Sequence, residues 1–160
     1  MNAIAYAQKG WSVLPLANHS KQPAKFLRHG YLDATTDIDT ITKWFDGKEL
    51  NIGLGIRQSN LVVFDFDNRN VVDRKAWIKY MAMCVEAKTF SVNTYDGWHF
   101  YFKADPNIQF KGKLIEGIDI KHKGYVVLPP SIHPSGYVYK VEDDVEPVEI
   151  PQQLLEMAKC

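Results

Sequence analysis

The chain lacks any excess of charge: its 160 residues carry 19 Lys and Arg against 19 Asp and Glu, a formal net charge of zero at pH 7 with His neutral. That balance argues against an indiscriminate nucleic-acid binder, which needs a broad cationic surface. Only two cysteines occur, Cys84 and Cys160, at no metal-binding or redox spacing. A structural zinc site is therefore not expected, and a reduced, cytoplasmic setting is. No apolar run reaches membrane-spanning length and no signal-like apolar N-terminus is present, so neither secretion nor spanning is expected. No GxxxxGK[ST] sequence occurs either, so phosphates are not held here by a P-loop.

What is present begins with an ordinary core: 46% of residues are hydrophobic and 24% charged. At this length a single domain, residues 1–160, is the simplest organisation. The charge is unevenly spread. Lys21, Lys25, Arg28 and His29 cluster early, and Lys111, Lys113, Lys121, His122 and Lys123 cluster late. Glu142, Asp143, Asp144, Glu146 and Glu149 form an acidic run near the end. Locally basic surface can grip phosphates on a neutral molecule, although each run also reads as a solvated loop.

The most informative stretch is Leu61-Val62-Val63-Phe64-Asp65-Phe66-Asp67. On a strand its side chains alternate, so Asp65 and Asp67 share one face while Val62, Phe64 and Phe66 take the other. Two carboxylates one pleat apart repel unless cations neutralise them. A divalent metal pair does so and suits phosphoryl transfer; the competing reading is a solvated strand end whose acids cap the next helix.

Around that strand the pattern predicts a helix over 2–9 stopped by Gly10, a strand over 11–16, and a helix carrying Ile38, Ile41, Trp44 and Phe45. That helix opens on a Thr36–Asp39 capping box. A short strand Asn51-Ile52-Gly53-Leu54 leads to the Asp65 strand. Trp77, Tyr80, Met81, Cys84 and Val85 form the apolar stripe of a further helix. Asp96-Gly97 reads as a hairpin turn between 89–93 and 98–102. Strands over 117–121, 124–128 and 137–141 follow, and Pro151 opens a last helix. The order predicts an α+β fold with helices packed on one face of a sheet.

His99 shares a parity with Tyr101 and Lys103, and Gly97 before it would let a ligand approach the backbone. Histidine on a strand is commonly just packed or exposed; it matters if it shares a face with the acids. Asp119 and Lys121 lie on one face of their strand, either as a plain ion pair or as a third carboxylate ligand with a phosphate-binding lysine. Three acids, a histidine and a lysine on strands match the needs of a nucleoside triphosphate carried with two metals.

In order along the chain these pieces resemble the primase-polymerase domain of the archaeo-eukaryotic primase superfamily, the bifunctional DNA primase/polymerase type of phages, plasmids and mobile elements. The resemblance runs through Gly10-Trp11-Ser12-Val13-Leu14-Pro15-Leu16, Lys21-Gln22-Pro23, Asp33-Ala34-Thr35-Thr36 with Trp44, and Asn51-Ile52-Gly53-Leu54. It continues in the first motif Val63-Phe64-Asp65-Phe66-Asp67 and the second, Gly97-Trp98-His99-Phe100-Tyr101-Phe102. The third, Ile118-Asp119-Ile120-Lys121, extends into Gly124 to Ser131 and His133-Pro134-Ser135-Gly136.

The resemblance implies an RRM-like catalytic core joined to a second, small α/β subdomain. It implies a metal-dependent nucleotidyltransferase, a template-directed primase/polymerase. Asp65, Asp67 and Asp119 would bind two magnesium or manganese ions and be the catalytic residues. His99 would contact the nucleotide phosphates, with Lys121, Ser131 and Lys21 as further phosphate contacts; Pro129-Pro130-Ser131 reads equally as a rigid strand exit. Tyr125 and Trp98 either stack on bases or belong to the core. The implied partners are nucleoside triphosphates, single-stranded DNA template and primer, and a replicative helicase. The turn His122-Lys123-Gly124 is shorter than in many relatives, and Gly97 stands where some primases place a phosphate-binding serine. No added helical or zinc-binding module is visible, so templated extension is expected ahead of primer initiation. Two further readings keep the same residues: a catalytically idle nucleotide- or DNA-binding module serving a helicase or initiator, and another metal-dependent phosphotransferase or nuclease.

Overall fold

Short polar side chains set the starts of three helices. Asn2 Oδ1 accepts from the Ala5 N–H at 3.0 Å ahead of α1 (Ala3–Gln8), and Asp37 Oδ2 from the Thr40 N–H at 3.0 Å ahead of α2 (Ile38–Phe45). Asp73 Oδ1 does the same for Ala76 at 3.1 Å ahead of α3 (Arg74–Glu86). The fourth, α4 (Gln152–Ala158), follows Pro151, which offers no side-chain cap; its carbonyl accepts the first helical bond, from the Leu155 N–H at 2.9 Å. The expected box at Thr36 is displaced by one residue. The Asp37 carboxylate accepts from both the backbone and the hydroxyl of Thr40, so it takes the cap.

The computed structural model describes residues 2–160. Its strands are β1 (Val13–Leu16), β2 (Asn51–Gly55), β3 (Leu61–Asp67), β4 (Ser91–Thr94), β5 (Gly97–Lys103), β6 (Lys113–Ile115), β7 (Ile118–Lys121), β8 (Tyr125–Leu128), β9 (Lys140–Asp143) and β10 (Val148–Glu149). The class is α+β with largely antiparallel sheets. The chain divides into two compact units, one of Met1–Ser59 with Lys123–Lys140, the other of Asn60–His122 with Val141–Cys160.

In the first unit β2 runs antiparallel between β1 and β8. Tyr6 of α1 stacks on Trp11 at 5.6 Å and donates its hydroxyl to the Pro129 carbonyl at 2.7 Å. Asn51, buried at the start of β2, donates to the Ser20 and Ile132 carbonyls and accepts from the Ile132 N–H. Although β2 is close to β3 in sequence, the two lie in different sheets; a 3-10 turn, Arg57–Ser59, separates them.

The second unit is built on a seven-stranded sheet of order β6-β7-β3-β5-β4-β9, with β10 pairing parallel to the far end of β5. Alternation along β3, β5 and β7 sorts its residues by face. Val62, Phe64, Phe66, Phe100, Phe102, Ile118 and Ile120 form one buried cluster with Trp77 and Cys84 of α3 and with Leu154 and Ala158 of α4. Phe66 meets Phe100 edge-on at 5.4 Å and Trp77 at 5.6 Å, and Phe64 meets Phe102 at 90°. Each fully buried ring stabilises the fold by about 1.5–3 kcal/mol. Val85, expected on the apolar stripe of α3, is exposed: the stripe that meets the sheet is narrower than the sequence spacing suggests.

Several boundaries shift from the sequence reading; the strand expected over 137–141, for one, is β9 at Lys140–Asp143. The hairpin turn is Tyr95-Asp96, with Thr94 opposite Gly97, so Gly97 is already in β5. It must be glycine because a Cβ there would stand 1.7 Å from the Phe66 carbonyl oxygen of β3; the close approach is by the neighbouring strand. Before β7, Gly117 turns at φ +95° and its carbonyl accepts from Trp77 Nε1 and from the Asp67 N–H. The edge strands β6 and β10, three and two residues long, were not anticipated.

Candidate active site

The face of this sheet turned away from α3 and α4 carries the charges. β3 runs antiparallel to both neighbours, and the register sets Asp65 directly opposite His99 on β5 and directly opposite Asp119 on β7. Directly paired residues point the same way, so three strands deliver these side chains to one face. His99 Nε2 lies 3.4 Å from Asp65 Oδ1, and Lys121 Nζ lies 3.5 Å from Asp65 Oδ2. His99 is only 7% exposed. Its other ring nitrogen, Nδ1, is buried and has no hydrogen-bond partner among the described residues.

The three carboxylates sit in unlike environments. Burial pushes Asp65 up, but His99 and Lys121 outweigh it and hold the group down at about 2. Asp119 moves the other way: burial, then the negative charge of Asp65, raise it, and Lys121 and Lys113 only partly oppose them. Asp67 is lowered, chiefly by the side-chain hydrogen bonds of Arg69, against burial and the charge of Asp65. Both of its oxygens are engaged. Oδ1 accepts from the Arg69 backbone N–H at 2.9 Å and from Arg69 Nε at 3.1 Å; Oδ2 accepts from Arg69 Nη2 at 3.0 Å and from Asn70 Nδ2 at 3.1 Å.

The two acids of the pair differ in their partners. Asp67 caps the 3-10 turn Asn68–Asn70, whereas Asp65 is held inside a charged cluster. Arg69 was not singled out from sequence; the signal was its place two residues after an aspartate, the spacing at which an Asx turn forms. Gly97 lies opposite Asp67 and so adds no side chain beside it.

The remaining expected residues belong to the first unit. Lys21 is exposed, and its carbonyl accepts from the Tyr125 hydroxyl at 2.7 Å. Ser131 is buried and its hydroxyl accepts from the Ile52 N–H at 2.8 Å, which ties the Pro129-Pro130-Ser131 segment to β2.

Among the described residues no three His, Cys, Asp or Glu side chains already form a ligand set for an ion. The donor chemistry nevertheless fits a hard divalent cation, because Asp65, Asp67 and Asp119 all offer carboxylate oxygens, which such ions prefer. His99 and Lys121 supply the donors that an anionic phosphate would need. Among the described residues no helix is long and apolar enough to cross a membrane.

The family model for bifunctional DNA primase/polymerase, N-terminal, matches residues 3–153. No curated protein matches the chain.

Proposed function

Because the chain belongs to the bifunctional DNA primase/polymerase N-terminal family over nearly its whole length, we propose that its second unit is a metal-dependent nucleotidyltransferase site acting on single-stranded template. The observation that carries this reading is the register of β3. One aspartate is flanked by a histidine on one neighbouring strand and an aspartate on the other, all on the face opposite the helices. The order β7-β3-β5-β4, with α3 between β3 and β4, supports an RRM-like core for this unit whose central strands β3 and β5 carry the site.

Asp65, Asp67 and Asp119 would hold magnesium or manganese, which when bound supplies charge neutralisation for the triphosphate and a more acidic primer 3′-hydroxyl. The protein's own groups do the positioning. His99 and Lys121, which flank Asp65, would donate to the nucleotide phosphates and to the pyrophosphate that leaves. Flanked by His99 and Lys121, Asp65 is held down at about 2 and so is ionised throughout the neutral range before any ligand arrives. No side chain is needed as a general base.

Lys21 and Ser131 are proposed as secondary phosphate contacts at most, since the Ser131 hydroxyl is already used inside its own sheet. The test is primer extension on a single-stranded template with labelled nucleotides and either metal. Asp65→Ala abolishes extension if the reading holds. Unchanged extension by a folded Asp65→Ala protein would overturn it.

A further inference from the structure

The bidentate grip on Asp67 exceeds what a cap requires. The backbone N–H of residue 69 alone completes the turn after β3, and any residue supplies it. Arg69 adds a guanidinium fork that occupies both carboxylate oxygens. The fork has a second seat. Arg69 Nε also lies 3.3 Å from Asp96 Oδ2, and its guanidinium carbon stands 6.0 Å over the Tyr95 ring, both in the β4–β5 turn. The side chain is 60% exposed, so it can swing without disturbing the core. Asp65 is treated differently: its partners His99 and Lys121 come from neighbouring strands of the same sheet.

We propose that Arg69 is a latch on the candidate metal site, occupying Asp67 in the ion-free protein and handing it over when a divalent cation arrives. This rests on the reading that Asp65, Asp67 and Asp119 hold the cation. A guanidinium and a divalent ion compete for the same oxygens and repel each other, so both cannot sit on Asp67 at close range. Asp96 and Tyr95 keep the displaced guanidinium paired, so the exchange needs one side chain to move and no strand to shift. The Asn70 amide and the Arg69 N–H stay with Asp67 and hold its carboxylate at the end of β3. Arg69 is therefore a positioning residue that sets how readily the site loads.

The experiment is a titration of the ion-free protein with manganese alone, followed by the electron paramagnetic resonance signal of the free ion. It compares wild type with Arg69→Ala, Arg69→Lys and Asp65→Ala. The latch predicts tighter manganese binding in Arg69→Ala by about five-fold, the scale of one exposed ion pair. Arg69→Lys keeps the charge but loses the fork. It is expected between wild type and Arg69→Ala, whereas an effect of net charge alone would leave it at wild type. Asp65→Ala is expected to lose the binding altogether. Should Asp65→Ala lose it while Arg69→Lys matches wild type, or Arg69→Ala bind more weakly, the latch is refuted and the metal site stands. Should Asp65→Ala bind as wild type does, the metal site itself is refuted, and the latch with it.

Discussion

The two faces of the larger sheet share the same strands and obey opposite rules. On the helix side, phenylalanines of β3 and β5 interlock with Trp77, and every residue agrees with its neighbours. On the other side the sheet holds two carboxylates directly opposite each other, and a histidine whose buried Nδ1 has no hydrogen-bond partner among the described residues. The contrast teaches where the stability resides. The aromatic face fixes the register, and the register forces Asp65, His99 and Asp119 together although Asp119 would be better placed elsewhere. Such local conflict inside a consistent fold is the mark of a functional surface.

The comparison is broken most severely from the aromatic side. Phe66→Ala should cost about 3–5 kcal/mol, because Phe100 and Trp77 cannot close over the space left. Urea unfolding measures it, and a loss below about 1 kcal/mol would mean that the helix face does not fix the sheet.

Acid titration isolates the charged side. Asp65 is lowered from the usual carboxylate value to about 2. A depressed acid contributes stability that is complete above the unfolded value, near pH 4, and is lost as pH falls through the folded one, near pH 2. The contribution is about 2 kcal/mol. Asp65→Asn should therefore flatten the dependence of unfolding free energy on pH between about 4 and 2. An unaltered slope would show that His99 and Lys121 do not hold that carboxylate.

The smallest effect sharpens the contrast by reversing its sign. Asp119 is raised by burial and by Asp65, so its charge opposes folding at neutral pH, and that penalty lifts as pH falls below its raised value. The group is exposed, so solvent screening keeps that penalty small. Asp119→Asn should accordingly leave the melting temperature unchanged or slightly higher. A clear drop would mean that the carboxylate is a structural partner.

Much of this arrangement was legible in the chain itself. Strict alternation through Val62-Val63-Phe64-Asp65-Phe66-Asp67 and Trp98-His99-Phe100-Tyr101-Phe102 settles which side chains share a face within each strand. What alternation cannot supply is pairing between strands, because a slip of one residue moves a whole strand to the other face. The turn at Tyr95-Asp96, one residue earlier than Asp96-Gly97, shows how close that ambiguity runs. The allocation of β2 to a separate sheet was hidden for the same reason, since neighbours in sequence need not be neighbours in a sheet. Arg69 was missed because the Asp65–Asp67 spacing drew attention along the strand and away from the turn that follows. Thr36 was preferred to Asp37 because the capping-box pattern looks three residues ahead and takes no account of the Thr40 hydroxyl.

The central proposal is that the charged face of this sheet is a catalytic surface on which Asp119 is kept against the interest of stability. Asp119→Asn tests it most directly, by thermal melting and template-directed primer extension on the same preparation. The account predicts a protein that melts no lower than wild type yet extends primers at least about a hundred-fold more slowly. Extension at the wild-type rate by that folded variant would contradict it.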